Sequence, residues 1–475
     1  MIWAADVSPA APPAGIAGPG VVGLLPAGAG IGWRPEIAGV VADLPDLAFC
    51  EVIAEAVDPA SPPRAVAELR ARGVAVVPHG VRLSLGSAEA VEADRVTHLA
   101  ATAAALGAPL VSEHVAFVRS RGREAGHLLQ VPRTRAALDA LAANVARLQA
   151  ELDVPLALEP IASLLDWPED EYTEAEFLAA LLDRTGARLL LDVANVHANA
   201  VNRGRDPEAV LDTLPLDRVA YVHVAGGAVR PDGLYHDTHT HPVPGPVLAL
   251  LRSLRERLPA DPPVLLERDG AYPAAGQLRA EFAEIVEAAA PAGAAPVRPP
   301  AGGRPSGEVP ARAGVSLAAV PVGARSDRAT LAGASLAPVP VGASSDRATL
   351  AAAQARLLDA LVAGAPDPPG FDPHRLDATR AALLRKRAGE VARAWPSLAA
   401  SLGERWPAAF AAHATGRSPK GALRDGWDLA RALRAANALG PGAAAELTEH
   451  EATFRYDGVH PPRRRSRLSR ALRGR

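Results

Sequence analysis

Cysteine is almost missing from this chain: of 475 residues only Cys50 carries a thiol. No intrachain disulfide can form, so a stapled secreted scaffold is excluded and a reducing compartment is expected. No run approaches the roughly 18 uninterrupted apolar residues that a membrane helix needs. The start, MIWAADVSPAAPPAGIAGPG, lacks the basic segment of a secretory signal. Also absent is any global basic field, because the formal charge is −3. These absences lead to the expectation of a cytoplasmic, soluble protein with neither membrane nor nucleic acid as a partner.

What is present is alternation. From Gly28 to about Ala290, short apolar strands alternate with longer amphipathic runs rich in alanine and leucine. The expected strands are AGIGWR, LAFCEVI, VAVVPH, PLVSEH, VPLALE, ARLLLD, VAYVHV and PPVLLE. Eight such units predict an α/β fold, a (β/α)8 TIM barrel with a parallel sheet covered by helices. Punctuation supports the reading: Thr173 and Glu176 form a capping-box pattern, Gly186 supplies a stop, and Asp206-Pro207 starts another helix.

The expected organisation is an N-terminal extension over 1–27, the barrel over 28–290, a linker over 291–349, a small all-α domain over 350–455 and a basic tail over 456–475. The linker is rich in Pro, Gly and Ala and contains a tandem duplication with a 19-residue step, starting at Gly314 and Gly333. Two copies are too few for a solenoid, so a spacer is expected.

Polar residues fall where the strands end. Glu51, with Glu55 just beyond, then His79, Glu113 with His114, Glu159, Asp192, His223 and Glu267 close seven of the eight strands. In a closed parallel barrel these ends converge on one rim, where such barrels place active sites. The HDTHTH segment, with Asp237, His239 and His241, follows the seventh strand and opens onto that rim. So many carboxylates and imidazoles in one desolvated cup require cations, since an unpaired buried charge costs several kcal/mol. An oxygen and imidazole set without thiolates suits Fe, Mn or Zn, and so large a set suggests two or three ions. His98 and His127 read as structural, and Cys50 as a buried apolar residue.

The motifs carrying these residues are HGVRLSLGS at His79, VSEHVAF at Glu113 and His114, LALEP at Glu159, LLLDVANVHANAVNRG at Asp192, VHVAGG at His223, DTH at Asp237 and LLERD at Glu267. In order and spacing this stretch resembles the multinuclear non-haem iron-dependent oxidative enzymes, a family long filed as domain of unknown function 692, which includes the iron subunit of methanobactin biosynthesis. The resemblance implies a barrel of the xylose isomerase and endonuclease IV type. It also implies two or three iron ions of mixed Fe(II)/Fe(III) valence, dioxygen as co-substrate, and oxidation of residues, often cysteine, in a ribosomally made precursor peptide. His79, Glu113, Glu159, Asp192, His223, Asp237, His239 and Glu267 are the expected metal ligands. Glu51, Glu55, His114, Asn195, His197 and His241 are further candidates for metal or substrate.

Several positions depart from the family pattern: Ala56, Pro160, Ala194-Asn195 and Gly227 stand where other residues are usual. They lie beside the rim and bear on the number of ions, with His197 and His241 available as replacement ligands. The segment VARAWPSLAASLGERWPAAFAAHATGRSP resembles the helical part of partner proteins that bring the precursor to these enzymes, which implies a recruiter fused in cis on a tether. Two rival readings keep the barrel: a metal-dependent hydrolase like endonuclease IV, and a binding protein whose site has degraded.

Overall fold

The computed structural model describes residues 24–289 and 341–465, with side chains from 345 in the second span. Residues 1–23, the duplicated copy that starts at Gly314 and the tail from 466 lie outside the described residues. So does the linker up to 340.

Eight parallel strands close into a barrel: β1 (Ala29–Gly32), β2 (Phe49–Ile53), β3 (Ala75–His79), β4 (Val111–His114), β5 (Leu156–Glu159), β6 (Arg188–Asp192), β7 (Val219–Val224) and β8 (Val264–Leu266). Each pairs with its sequence neighbours, and β8 closes on β1 through Ala29 opposite Val264. The expected barrel is the observed one. The Thr173/Glu176 capping box is present before the helix Glu174–Thr185, and Gly186 ends that helix at φ 66°. Asp206 caps the helix that opens with Pro207.

Side chains alternate along a strand, so one parity faces the barrel axis and the other faces the helices. Phe49, Val77, Leu110, Ala157, Leu190, Tyr221 and Leu265 share one small interior core. Cys50, Val76, Val111, Leu158, Leu191, Val222 and Leu266 belong to the outer core beneath the helices. On β1 the inward position is Gly30, where a Cβ would stand 2.7 Å from the Phe49 ring. Only glycine leaves room for that ring.

The C-terminal helices divide between two cores. Val341–Val362 adds Leu357, Leu358 and Leu361 to the barrel's outer core, Pro373–Ala394 adds Leu376, and Phe371 joins from the segment between them. The helices from Pro396 to Thr453 enclose their own core of Trp395, Leu398, Phe410, Trp427 and Leu447. Two expected boundaries shift. The helix that begins at Val341 takes in the last part of the linker expected to reach 349. Tyr456 is buried in the second core and Arg463–Arg464 pairs with Phe454–Arg455, so the folded unit continues past 455.

Candidate metal centre

Two residues beyond each interior apolar residue, the same parity brings a polar side chain to the C-terminal mouth. Phe49 is followed by Glu51, Val77 by His79, Ala157 by Glu159, Leu190 by Asp192, Tyr221 by His223, and Leu265 by Glu267. All six polar residues are at most 5% exposed. Strand register brings them level, with Asp192 opposite His223 and His114 opposite Glu159.

The side chains form overlapping donor sets whose ligand atoms lie within 4.8 Å of one another. One holds His79, His114 and Glu159; a second holds Glu159, Asp192, His223 and Glu267; a third holds Asp192, Asp237 and His239. Glu159 and Asp192 each belong to two of these sets. Glu159 Oε2 lies 3.6 Å from His79 Nε2 and 3.3 Å from His114 Nε2. Its Oε1 is 3.6 Å from His223 Nδ1. Asp192 caps the helix Val193–Asn202, its Oδ1 accepting the Ala194 N–H at 2.7 Å, which leaves Oδ2 turned to the cup.

A fourth set, His239, Glu267 and Asp269, is faced by an arginine. Arg34, inward on the continuation of β1, sets its guanidinium 2.6 Å from Asp269 and 3.6 Å from Glu267.

The electrostatics of the cup are those of a site built around positive charge. Burial works against the imidazolium of His114, yet Glu159 and Glu113 outweigh it and raise His114 to about 9. His223 and His239 are likewise raised against burial, the first by Glu51 and Glu159, the second by Asp237 and Glu267. Asp192 is pushed up to about 7 by burial and by the neighbouring Asp237.

The donor atoms fit a metal. Glu159 Oε2, Asp192 Oδ2 and Asp237 Oδ1 are buried with no hydrogen bond, while His223 Nδ1 and His239 Nε2 face carboxylates, Glu267 at 3.1 Å and Asp237 at 2.6 Å. Orphaned atoms of this kind are rare in a folded interior unless an ion or water satisfies them. The sole thiol is elsewhere: Cys50 has outward parity, and burial pushes it up to about 12.

Of the expected principal ligands, the structure brings all but Glu113 into these sets. Glu113 has outward parity on β4. Its carboxylate accepts the N–H groups of Leu83 at 2.9 Å and of His114 at 2.5 Å, and His114 takes the inward place. Glu51 lies below the cup, bonded to Tyr221. Glu55 accepts the Val81 N–H and lines a separate cavity with Arg95 and His98. Asn195 donates weakly to Glu159 Oε1 at 3.4 Å and so buttresses it. His197 stands edge-on to Tyr235, and His241 Nδ1 bonds Thr238 at 2.6 Å. Neither joins a donor set. Sequence reading missed Arg34 and Asp269, although strand parity marks both as inward.

The C-terminal helices contact the segments around this mouth. Gln354, wholly buried, donates to Gly86 O at 2.7 Å and accepts from Ala88 N at 2.9 Å, both in the loop after β3. Lys386 donates to His127 Nδ1 at 3.1 Å on the hairpin after β4, and burial with Lys386 holds His127 neutral. Phe371 packs edge to face on Trp167 after β5, and Arg385 reaches His236 Nδ1 at 3.2 Å after β7. Each contact is to a segment that follows the C-terminal end of a strand.

Residues 28–290 match the model of a family described as the RiPP precursor modification enzyme MbnB/TglH/ChrH. A UPF0276 protein of Streptomyces avermitilis is 45% identical, over 94% of this chain and 96% of that relative. The chain belongs to the MbnB/TglH/ChrH family. The motif resemblance is thereby borne out. Another UPF0276 protein, from Chromobacterium violaceum, is 36% identical over 55% of this chain and 94% of its own length, a match of barrel size. Residues 351–435 match an SCO6045-like C-terminal domain, so this family member carries a second unit in cis. Among solved structures, endonuclease IV from Thermus thermophilus aligns over 55% of this chain and 99% of its own, with 21% identity and a TM-score of 0.36. A xylose isomerase domain protein from Planctomyces limnophilus aligns over 55% and 95%, with 14% identity and a TM-score of 0.37. No helix among the described residues is long and apolar enough to cross a membrane.

Proposed function

We propose that this family member holds two or three iron ions in the barrel mouth and uses dioxygen to oxidise a residue, cysteine in the first instance, of a ribosomally made precursor peptide. The observation that carries the reading is the convergence of buried carboxylates and imidazoles on overlapping donor sets, with Glu159 Oε2, Asp192 Oδ2 and Asp237 Oδ1 making no hydrogen bond. Three donor sets free of a resident cation match an upper number of three ions, with Glu159 and Asp192 placed to be shared. Iron bound there supplies the redox electrons and the thiolate affinity that oxidation of a cysteine by dioxygen requires.

The chain's own residues do the rest. His79, His114, His223 and His239 would provide imidazole nitrogen donors, the last three after giving up a proton, and the carboxylates balance the charge. Asp192 is held rigidly because its other oxygen caps a helix. Cys50, buried and outward, offers no competing thiol. The helix Pro373–Ala394 contacts the mouth segments through Lys386 and Arg385, so a peptide bound to the helical unit would lie beside the mouth. This arrangement supports a cis recruiter that acts as a fixed wall of the site. In this reading the helical unit acts from its docked position, where the linker led to the expectation of a tether.

The test is to purify the full chain without oxygen from iron-supplied cells and measure metal, then add the precursor peptide and oxygen. More than one iron per chain and an oxidative mass change on the peptide support the proposal. A zinc-filled, iron-free protein that leaves the peptide unchanged overturns it.

A further inference from the structure

Below the cup lies a buried chain of hydrogen bonds that joins two of its histidines. His79 Nδ1 is 2.8 Å from Ser112 Oγ, which is 2.7 Å from the Tyr221 hydroxyl. That hydroxyl is 2.7 Å from Glu51 Oε2, which lies 3.1 Å from His223 Nε2. All five residues are at most 1% exposed, so the chain is shielded from bulk solvent. The geometry points to Ser112, Tyr221 and Glu51 as positioning residues that fix which ring nitrogen His79 and His223 each turn to the metal cup. The inference rests on the metal-centre reading above and adds the tautomers of its ligands.

Counting protons gives the assignment. A carboxylate only accepts, so both groups that reach Glu51 Oε2 must donate: the Tyr221 O–H and the His223 Nε2–H. Tyr221 has one proton, now committed, so its oxygen accepts from the Ser112 hydroxyl. Ser112 also has one proton, so towards His79 it can only accept. His79 must therefore carry its hydrogen on Nδ1. Every donor points along one direction from His79 to Glu51, and His223 meets it from the other end.

The consequence is that each histidine turns a bare nitrogen to the same carboxylate. His79 presents Nε2 to Glu159 Oε2 at 3.6 Å, and His223 presents Nδ1 to Glu159 Oε1 at 3.6 Å. A metal-binding histidine commonly has its other nitrogen fixed by a hydrogen-bond acceptor, and loss of such a partner costs roughly 10–100-fold in metal affinity. Here one chain serves two histidines in different donor sets. Removing its central hydroxyl should disturb both sites without touching a ligand.

Zinc serves as a redox-silent probe on the full chain labelled with 15N-histidine. The expected spectrum shows His79 protonated at Nδ1 and metal-bound at Nε2, with the reverse for His223. Tyr221→Phe should weaken zinc binding roughly 10–100-fold and shift both signals. Ser112→Ala should shift His79 and leave His223, while Ser112→Thr, which keeps the hydroxyl, should restore the native pattern. This pair decides the matter even where Tyr221→Phe does not fold. Coordination of His79 through Nδ1, or zinc affinity in Tyr221→Phe and Ser112→Ala equal to the parent, would overturn the inference while leaving a metal centre in place. No binding of zinc or iron by the parent would overturn the metal reading and this inference with it.

Discussion

Glu113 and His114 are adjacent on one strand yet face opposite ways: the His114 ring reaches Glu159 at 3.3 Å in the cup, while Glu113 bonds the backbone of Leu83 outside it. Glu159→Gln should therefore remove at least one metal ion, whereas Glu113→Gln should keep full metal content. The Glu113 change leaves the N–H groups of Leu83 and His114 less well satisfied, so a loss of about 1–2 kcal/mol in stability is expected. Metal analysis beside a denaturant titration separates the two. Equal metal loss in both variants would refute the assignment by parity.

His197 also lies outside the centre. His197→Phe should leave metal stoichiometry unchanged, since its ring packs on Tyr235 with centroids 5.1 Å apart and belongs to no donor set. Loss of one ion by elemental analysis would restore it as a ligand.

The raised histidines predict how pH acts. A group whose folded pKa lies above its unfolded value stabilises fully below the unfolded value and loses that contribution as pH rises through the folded one. His114, ordinarily near 6.5, is held at about 9, and His223 and His239 are raised in the same sense. Chelated protein should lose thermal stability as pH rises from 6.5 to 9. Metal affinity should climb across that window, because each ligand gives up a proton. A melting temperature of the chelated protein that stays level from pH 6.5 to 9 would contradict this.

The helices that contact the mouth segments are bound into the barrel's own core. A chain cleaved at a protease site engineered near Ser306 should stay together as two fragments through gel filtration. Leu357→Ala should cost about 2–5 kcal/mol, because Leu357 is wholly buried in the core shared with the barrel. Gln354→Ala leaves a buried N–H and C=O unpaired and should cost about 1–3 kcal/mol for each. Fragments that separate without denaturant would return the helical unit to a tether.

Much of the barrel was legible because its strands are short, apolar and punctuated by caps such as Thr173 and Asp206. The rim was legible because acids and imidazoles are costly at strand ends without a use. Reading strand ends without their parity, however, does not separate Glu113 from His114, and passes over Arg34 and Asp269. Two-residue steps from Phe49, Val77 and Leu265 separate inward from outward positions. The docking of Val341–Val362 was not legible, since an alanine-rich helix carries little sign of which surface covers it. Gln354, its anchor, looks like any polar helix residue until its two partners after β3 are seen.

Iron content of the full chain, purified without oxygen from iron-supplied cells, measures the central claim most directly. Two or three irons per chain are expected, falling by at least one in Glu159→Gln and in Asp192→Asn, each of which serves two donor sets. Iron at one per chain or fewer in the parent, unaffected by either change, would contradict it.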